Sequence, residues 1–395
     1  MDAGGDLVNI DVLKDWPAGI ENMKKYRIGI IGRSSRGDYG HGLDEVWRNV
    51  PEAELVGIAD ENPAGLKARA DRLGIKARYG DYRKMLAAET PDIVSVAPRW
   101  PDCHHDMVLA CAEHGASVFL EKPMCRTLAE ADSMVRACEE KHVKLAIAHQ
   151  TRYSPRIKTV QKLIKDGKIG RLLELRGRGK EDRRGGGEDL WVLGTHVFDL
   201  MRIFGGEARS CFAKVTQGGR AVGPGDVQEG NEGIGPLAGN GIESSFEMAA
   251  GCTAFFSSHR NMAGRPSRFG LTLLGSKGVI TIHTGYLPDV HILEDPSWEP
   301  GRTGSGWKPV SSAGINKAEP LKNTDRLARG NGNVAIVTDL IESIEKDRQP
   351  LGSIYHARGA TEMITAVFES HRLRGPVTLP LKNRANPLLS LPRRR

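Results

Sequence analysis

Short apolar runs recur at 28–31, 55–59, 93–97, 118–120 and 145–148, and stretches with helical spacing of apolar positions lie between them, as at 106–114 and 128–141. A continuous apolar run bounded by turn residues reads as a strand buried on both faces. Strands alternating with helices of this length imply βαβ units and a parallel sheet up to about residue 149. The pattern then changes. A helix is predicted over 154–166, a strand over 170–178 and a helix over 190–204. Strands follow at 209–216, 242–248, 252–259, 269–274, 278–283 and 291–294, then two helices at 334–346 and 357–372. Strands with few helices between them predict a largely antiparallel sheet. The glycine-rich stretch 217–241 reads either as a substrate loop or as a mobile connector, and composition alone favours the connector.

The 395 residues suit two domains. The formal charge of +7 is partly in the tail Arg393-Arg394-Arg395, and no Lys/Arg stripe alternates with aromatics, so no nucleic acid partner is expected. Six cysteines without CxxC pairs or zinc-ligand spacing predict reduced thiols in a cytoplasmic protein and no metal site. No apolar run approaches the ~20 residues of a membrane span. The acidic start Met1–Asp6 lacks a signal-peptide core, although an exported precursor trimmed ahead of it remains open.

Two places carry chemistry. The first strand ends in Gly32, followed by Arg33-Ser34-Ser35-Arg36-Gly37. This is a G-x-G-x-x-G turn with Ser34 at the second glycine, where the backbone must approach a pyrophosphate closely. The second strand ends at Asp60, 23 residues after Gly37, where an acid binds the ribose hydroxyls of NAD. Glu61 follows with no Arg or Lys adjacent in sequence, which favours NAD over NADP. The alternative is a glycine-rich turn with a surface aspartate. The second place is Glu121-Lys122-Pro123, closing the apolar run 116–120. A lysine at the carboxyl end of a parallel strand sits where open α/β sheets bind ligands, and burial lowers its pKa toward general acid–base use.

Several further elements follow in order: Pro98 with His104, Arg152-Tyr153-Ser154-Pro155, Gly167-Lys168-Ile169-Gly170, Gly194-Thr195-His196, Gly275-Ser276-Lys277-Gly278 and Val377–Leu381. Together with the glycine turn, Asp60 and Glu121-Lys122-Pro123, they make residues 26–381 resemble the Gfo/Idh/MocA family of NAD(P)-dependent oxidoreductases. The resemblance implies an α/β fold: an N-terminal Rossmann dinucleotide-binding domain, then an α/β domain with a large, mostly antiparallel open sheet. The chain divides accordingly into an extension (1–25), a Rossmann NAD-binding domain (26–149), a substrate-binding and oligomerisation domain (150–381) and a basic tail (382–395). By the same resemblance, Gly32, Ser34, Ser35, Asp60, Pro98, Arg99, His104, Glu121 and Lys122 would serve the cofactor. Lys122 and His196 would be catalytic, and a homo-oligomer is implied.

One departure stands out. Many relatives carry D-x-x-x-H, and the position four before His196 is Val192. Asp189 lies seven before it, about two turns or roughly 10 Å away along a helix, and serves only if the chain there is not helical. Asp199 could orient His196, with a role inside its helix as the alternative. Tyr153, Lys180, Asp189 and His196 are the candidate substrate contacts, with a core tyrosine and a solvated turn as alternatives for the first two. The resulting expectation is NAD-dependent oxidation of a ring hydroxyl of a sugar, glycoside or cyclitol. Two alternatives accompany it: a redox-neutral glycosidase or lyase using transient oxidation and elimination, and a non-catalytic NAD-binding sensor.

Overall fold

The computed structural model describes residues 24–321 and 332–392. The predicted extension 1–25, except for residues 24 and 25, and residues 393–395 of the basic tail lie outside the described residues. Six strands, β1 (Tyr26–Ile31), β2 (Ala53–Ala59), β3 (Arg78–Tyr79), β4 (Ile93–Val96), β5 (Ser117–Leu120) and β6 (Leu145–Ile147), form one sheet in the order β3-β2-β1-β4-β5-β6. Every pairing in it is parallel. Helices α1 (Pro63–Leu73), α2 (Tyr82–Glu89), α3 (His104–Glu113) and α4 (Leu128–Glu140) connect its strands. Strand order reverses between β1 and β4, and ligands bind at the carboxyl ends of strands beside such a switch point.

The chain continues through α5 (Pro155–Lys165), β7 (Leu172–Arg178), α6 (Gly187–Val192), α7 (Gly194–Gly205), β8 (Ala208–Gln217), β9 (Arg220–Ala221), β10 (Gln228–Glu229), β11 (Pro236–Leu237), β12 (Gly241–Met248) and β13 (Thr253–His259). It ends with β14 (Gly270–Gly275), β15 (Gly278–His283), β16 (Val290–Leu293), β17 (Lys308–Ser311), β18 (Gly314–Ile315), α8 (Asn333–Glu345), α9 (Ile354–Leu373) and β19 (Val377–Thr378). Eleven of these strands form the second sheet, in the order β18-β17-β16-β15-β14-β7-β13-β12-β8-β19 with β9 on β8. Only its β7–β13 pair is parallel. Helices α7 and α9 cover one face, where Phe198 packs on Phe256 and Phe246 at ring-centroid distances of 4.9 and 5.5 Å. Each such buried side chain is worth about 1.5–3 kcal/mol. On the opposite face Phe212 and Phe255 lie on either side of Ser245, 55% and 39% exposed.

Two departures from the predicted elements shape the site. No α-helix follows β1. Arg33 and Asp38 bridge to each other, and two short 3-10 turns, Gly40–Gly42 and Val46–Asn49, lead to β2. Gly37 and Gly42 take positive φ (+89° and +77°), and so do Asp38 and His41, so the segment cannot wind as a helix. The sheet face left bare is filled by Trp47, whose Nε1 donates to Ser95 Oγ at 2.7 Å, and by Val334, Val337 and Leu340 of α8. Helix α8 thus returns to the first sheet from a segment assigned by sequence to the second domain. The other departure is a break between α6 and α7 at Leu193, in place of the single helix predicted over 190–204.

Candidate active site

Lys122 follows the end of β5 and is only 7% exposed. Its Nζ lies 4.0 Å from Glu121 Oε1 and donates to the Val192 carbonyl at 3.4 Å. The position where relatives carry the aspartate therefore meets Lys122 with backbone oxygen. Burial pushes the Lys122 pKa down against the pull of Glu121 and Glu232, and Arg184 and Arg99 push it further down. Glu121 is fully buried. One of its oxygens is bonded by His41 Nδ1, and the other, Oε2, has no partner. Burial opposes its charge, but the His41 bond and the Lys122 ammonium hold its carboxyl below the usual range.

His196, in the first turn of α7, is brought to this lysine from the second domain. Its ring meets that of His149 edge to face, centroids 5.5 Å apart. Burial drives its pKa well below the ordinary imidazole value, Lys122 and His149 add to the effect, and Asp199 opposes it. His149 stands just past β6, with Nε2 2.9 Å from Thr195 Oγ1 and Nδ1 3.6 Å from Asp199 Oδ1. Asp199 is gripped by Arg152, whose Nη2 donates at 2.7 Å and whose Nε donates to both oxygens at 3.0 Å. Burial works to raise the Asp199 pKa, yet Arg152 and His149 hold it far below the usual range.

The stretch 217–241 is built into the site rather than joining two parts loosely. Asn231 Nδ2 donates to Glu188 Oε2 at 3.0 Å, Glu232 pairs with Arg184 at 3.5 Å, and Gly233 abuts Trp100 and Asp102 of the first domain. Asn386 Nδ2 anchors it through the Pro236 carbonyl at 2.8 Å.

At the other end of the cleft, a cavity of about 450 Å³ opens at the ends of β1 and β2, lined by Gly32, Arg33, Asp60, Glu61, Tyr82 and Asp102 among others. Asp60 is 2% exposed and accepts from Ser34 N (3.0 Å), Ser34 Oγ (2.6 Å), Tyr39 Oη (3.0 Å) and Asn62 N (2.9 Å). The Tyr39 ring lies over Gly32, where a Cβ would come within 2.0 Å of it. Gly32 therefore makes room for a tyrosine here. Ser34 spends its hydroxyl on Asp60, and Ser35 N donates to Asp38 at 2.9 Å. The fold also brings a cation that sequence adjacency hid: Arg33 pairs with Glu61 at 2.7 Å and with Asp102 at 3.3 Å. Both partners neutralise it.

Four candidate residues have different surroundings from those expected. His104 is fully buried, with Nε2 2.7 Å from the Pro98 carbonyl and Nδ1 2.9 Å from that of Pro123, so it brackets two loops and presents no free nitrogen to a cofactor. Tyr153 is a core residue: its hydroxyl donates to Asp339 at 2.9 Å and accepts from Gly352 N at 2.8 Å. Asp189 is buried on α6, its Oδ2 bonded by Ser258 Oγ (2.5 Å) and Glu181 N (3.0 Å) and its Oδ1 without a hydrogen-bond partner. With His196 on a separate helix, the seven-residue spacing loses its meaning. Lys180 is exposed and pairs with Asp182 at 3.7 Å. Arg99 lies along Gly40 with Nε donating to Gly37 O at 3.2 Å. The contributions of His41, His149 and Glu232 were missed. Their sequence neighbours gave no signal, because each reaches the site through a turn.

Among the described residues no group of His, Cys, Asp and Glu is placed to hold a metal. The parallel sheet, its switch-point cleft and the strand-end Glu121-Lys122 pair define a Rossmann-type dinucleotide-binding class. Residues 26–149 match the model of GFO_IDH_MocA, the oxidoreductase family with an NAD-binding Rossmann fold. D-apiose dehydrogenase of Paraburkholderia graminis is 30% identical over 52% of this chain and 56% of its own length. A 2,7-anhydro-N-acetylneuraminate hydratase of Mediterraneibacter gnavus is 30% identical over 38% of each chain. The chain thus spans little more than half, or less, of these curated relatives. A levoglucosan dehydrogenase structure, solved with NADH and L-sorbose, superposes over 91% of this chain and all of its own with a TM-score of 0.71 at 20% identity, a likeness of fold. The residues present fit the dinucleotide the family implies. A cavity with a buried acid lies at one end, and the unpartnered Glu121 Oε2 lies at the other, an acceptor suited to a ribose hydroxyl.

Proposed function

We propose that this protein is an NAD-dependent oxidoreductase that oxidises a ring hydroxyl of a sugar, glycoside or cyclitol. The observation that carries the reading is Lys122: buried, weakened as an acid–base group toward its neutral form, and flanked by Glu121 and His196 across the cleft. In the direction of oxidation, bound NAD supplies the acceptor for the hydride leaving the carbinol carbon. Neutral Lys122 takes the hydroxyl proton at Nζ, and Glu121 stabilises the ammonium that results. His196, kept neutral, bonds the same or the neighbouring hydroxyl and orients it. Arg33, Ser34, Asp60 and Arg99 would hold the adenosine and diphosphate portions, and Glu121 a ribose hydroxyl. The strap at 228–237 closes the sugar side with Glu232 and Arg184. Incubation with NAD and a panel of sugars and cyclitols tests this: net NADH is expected, and its absence with every sugar sinks the dehydrogenase reading.

A redox-neutral route is the second reading, and Val192 favours it. At that position Lys122 meets only the backbone carbonyl of Val192, not an aspartate that could share its proton. The hydratase relative is named for a reaction without net oxidation. Product formed without net NADH, and lost when bound nucleotide is stripped, selects this route.

We further place the protein in a reducing, cytoplasmic compartment, supported by six cysteines that are all free thiols. Among the described residues no helix is long and apolar enough to cross a membrane. The uncovered sheet face with Phe212 and Phe255 suits a second copy of the chain, and light scattering of the purified protein reads the assembly directly.

A further inference from the structure

His196 has lost the carboxylate one turn before it, yet its ring is not left loose. His149 comes from the first domain, past the end of β6, and stacks edge to face on it. His149 is itself held at Nε2 by Thr195, the residue preceding His196, while its Nδ1 has no hydrogen-bond partner and lies 3.6 Å from Asp199, one turn further along α7. Asp199 cannot swing away, because the Arg152 fork holds it. The Asp199 carboxylate on the Nδ1 side favours a proton on that nitrogen. The chain Arg152–Asp199–His149–Thr195 therefore spans the domain boundary and ends on the turn that carries His196. It is buried throughout: His149, Thr195 and Asp199 are each 3% exposed or less.

We infer that His149 is a positioning residue for His196, orienting its ring from the first domain where Val192 offers no carboxylate to do so. This rests on the reading of Lys122 and His196 as the reacting pair. The groups facing His196 are Lys122, His149, Asp199 and His41, and those facing His149 are Thr195, Asp199, Arg152 and His196. Three of the four neighbours of His196 are cationic when protonated, so a proton on His196 is opposed from several sides. His149 supplies one of these contributions. Removing it relieves that opposition, and His196 holds its proton to higher pH.

The test is a nuclear magnetic resonance titration of the full chain, carrying carbon-13-labelled histidine, which needs no substrate. In His149→Asn the His196 midpoint is expected to rise by roughly half a pH unit or more. His149→Phe keeps an aromatic edge but no ionisable nitrogen, and the same rise is expected. Val192→Asp in the His149→Asn background should raise the midpoint further, because an anion then stands one turn before the imidazole. If turnover has been found, the acidic limb of its pH profile moves upward in His149→Asn, while NAD affinity stays put. An unmoved His196 midpoint in both folded single variants overturns the inference. Loss of the Lys122 role would show separately, as turnover surviving Lys122→Ala, and would leave the titration result standing.

Discussion

Asp60 and Glu121 are both buried carboxylates just past the ends of strands in one parallel sheet, but their surroundings differ. Asp60 accepts from two backbone amides, a serine and a tyrosine, all from its own domain. Glu121 has one bonded oxygen and one with no partner, and beside it sit a lysine and histidines whose charges oppose one another. A buried polar group left unmatched costs stability, so it persists where something else gains from it. The Asp60 end is a finished piece of architecture whose hydrogen bonds shape the turn after β1. The Glu121 end is held short of satisfaction, as a site that must exchange protons requires.

The widest gap between the two ends should appear in activity. Lys122→Ala is expected to lower turnover by between about 100-fold and 10,000-fold, with a cooperative unfolding transition retained. Steady-state rates with the sugar that supports net turnover measure it, and intact turnover removes Lys122 from the chemistry. The next effect falls on stability. Asp199→Asn leaves Arg152 buried without its anion, which should cost about 3–5 kcal/mol, read from urea unfolding. Because the Asp199 carboxyl is held below its ordinary range, its contribution is complete above about pH 4, where the unfolded chain is already ionised. As pH falls below that, the unfolded state gains a proton that the native state refuses, and the gap between wild type and variant closes. A gap that widens on acidification would contradict this assignment.

The same contrast explains what could be read from sequence. Alternating apolar runs announced both sheets, since strand burial is a local pattern. Glu121-Lys122-Pro123 and His196 stood out because their residue types are costly to bury without a use. The missing helix after β1 was harder to see. Gly37, Gly40 and Gly42 signalled an irregular turn, but only the fold shows that α8 and Trp47 fill the space left behind. Asp189 could stand in for Val192 only if the chain before His196 was not one continuous helix. The chain does break at Leu193, and there Glu181 N and Ser258, a partner that lies far away in sequence, bond one Asp189 oxygen. His149 and His41 carried no signal, because their meaning comes from partners 46 and 80 residues away in sequence.

A smaller effect probes the Asp60 end. Gly32→Ala drives a methyl into the Tyr39 ring, 2.0 Å from its Cζ. The ring must shift, at about 1–3 kcal/mol. In a Tyr39→Ala background the same substitution should cost far less, and an unchanged cost would mean that the ring is not what Gly32 accommodates.

Tyr39→Phe should be milder still. The ring stays over Gly32, and Asp60 keeps Ser34 N, Ser34 Oγ and Asn62 N as donors, so one hydrogen bond among four is lost. That costs about 1 kcal/mol, visible as a small fall in the urea midpoint at constant slope. Losing the phenol also returns one Asp60 lone pair to the cavity, where a ribose hydroxyl can take it. Nucleotide affinity, measured by calorimetry with NAD alone, should therefore hold or tighten while stability falls. If affinity and stability fall together, the Tyr39 hydroxyl bonds the nucleotide itself and does not merely compete with it for Asp60.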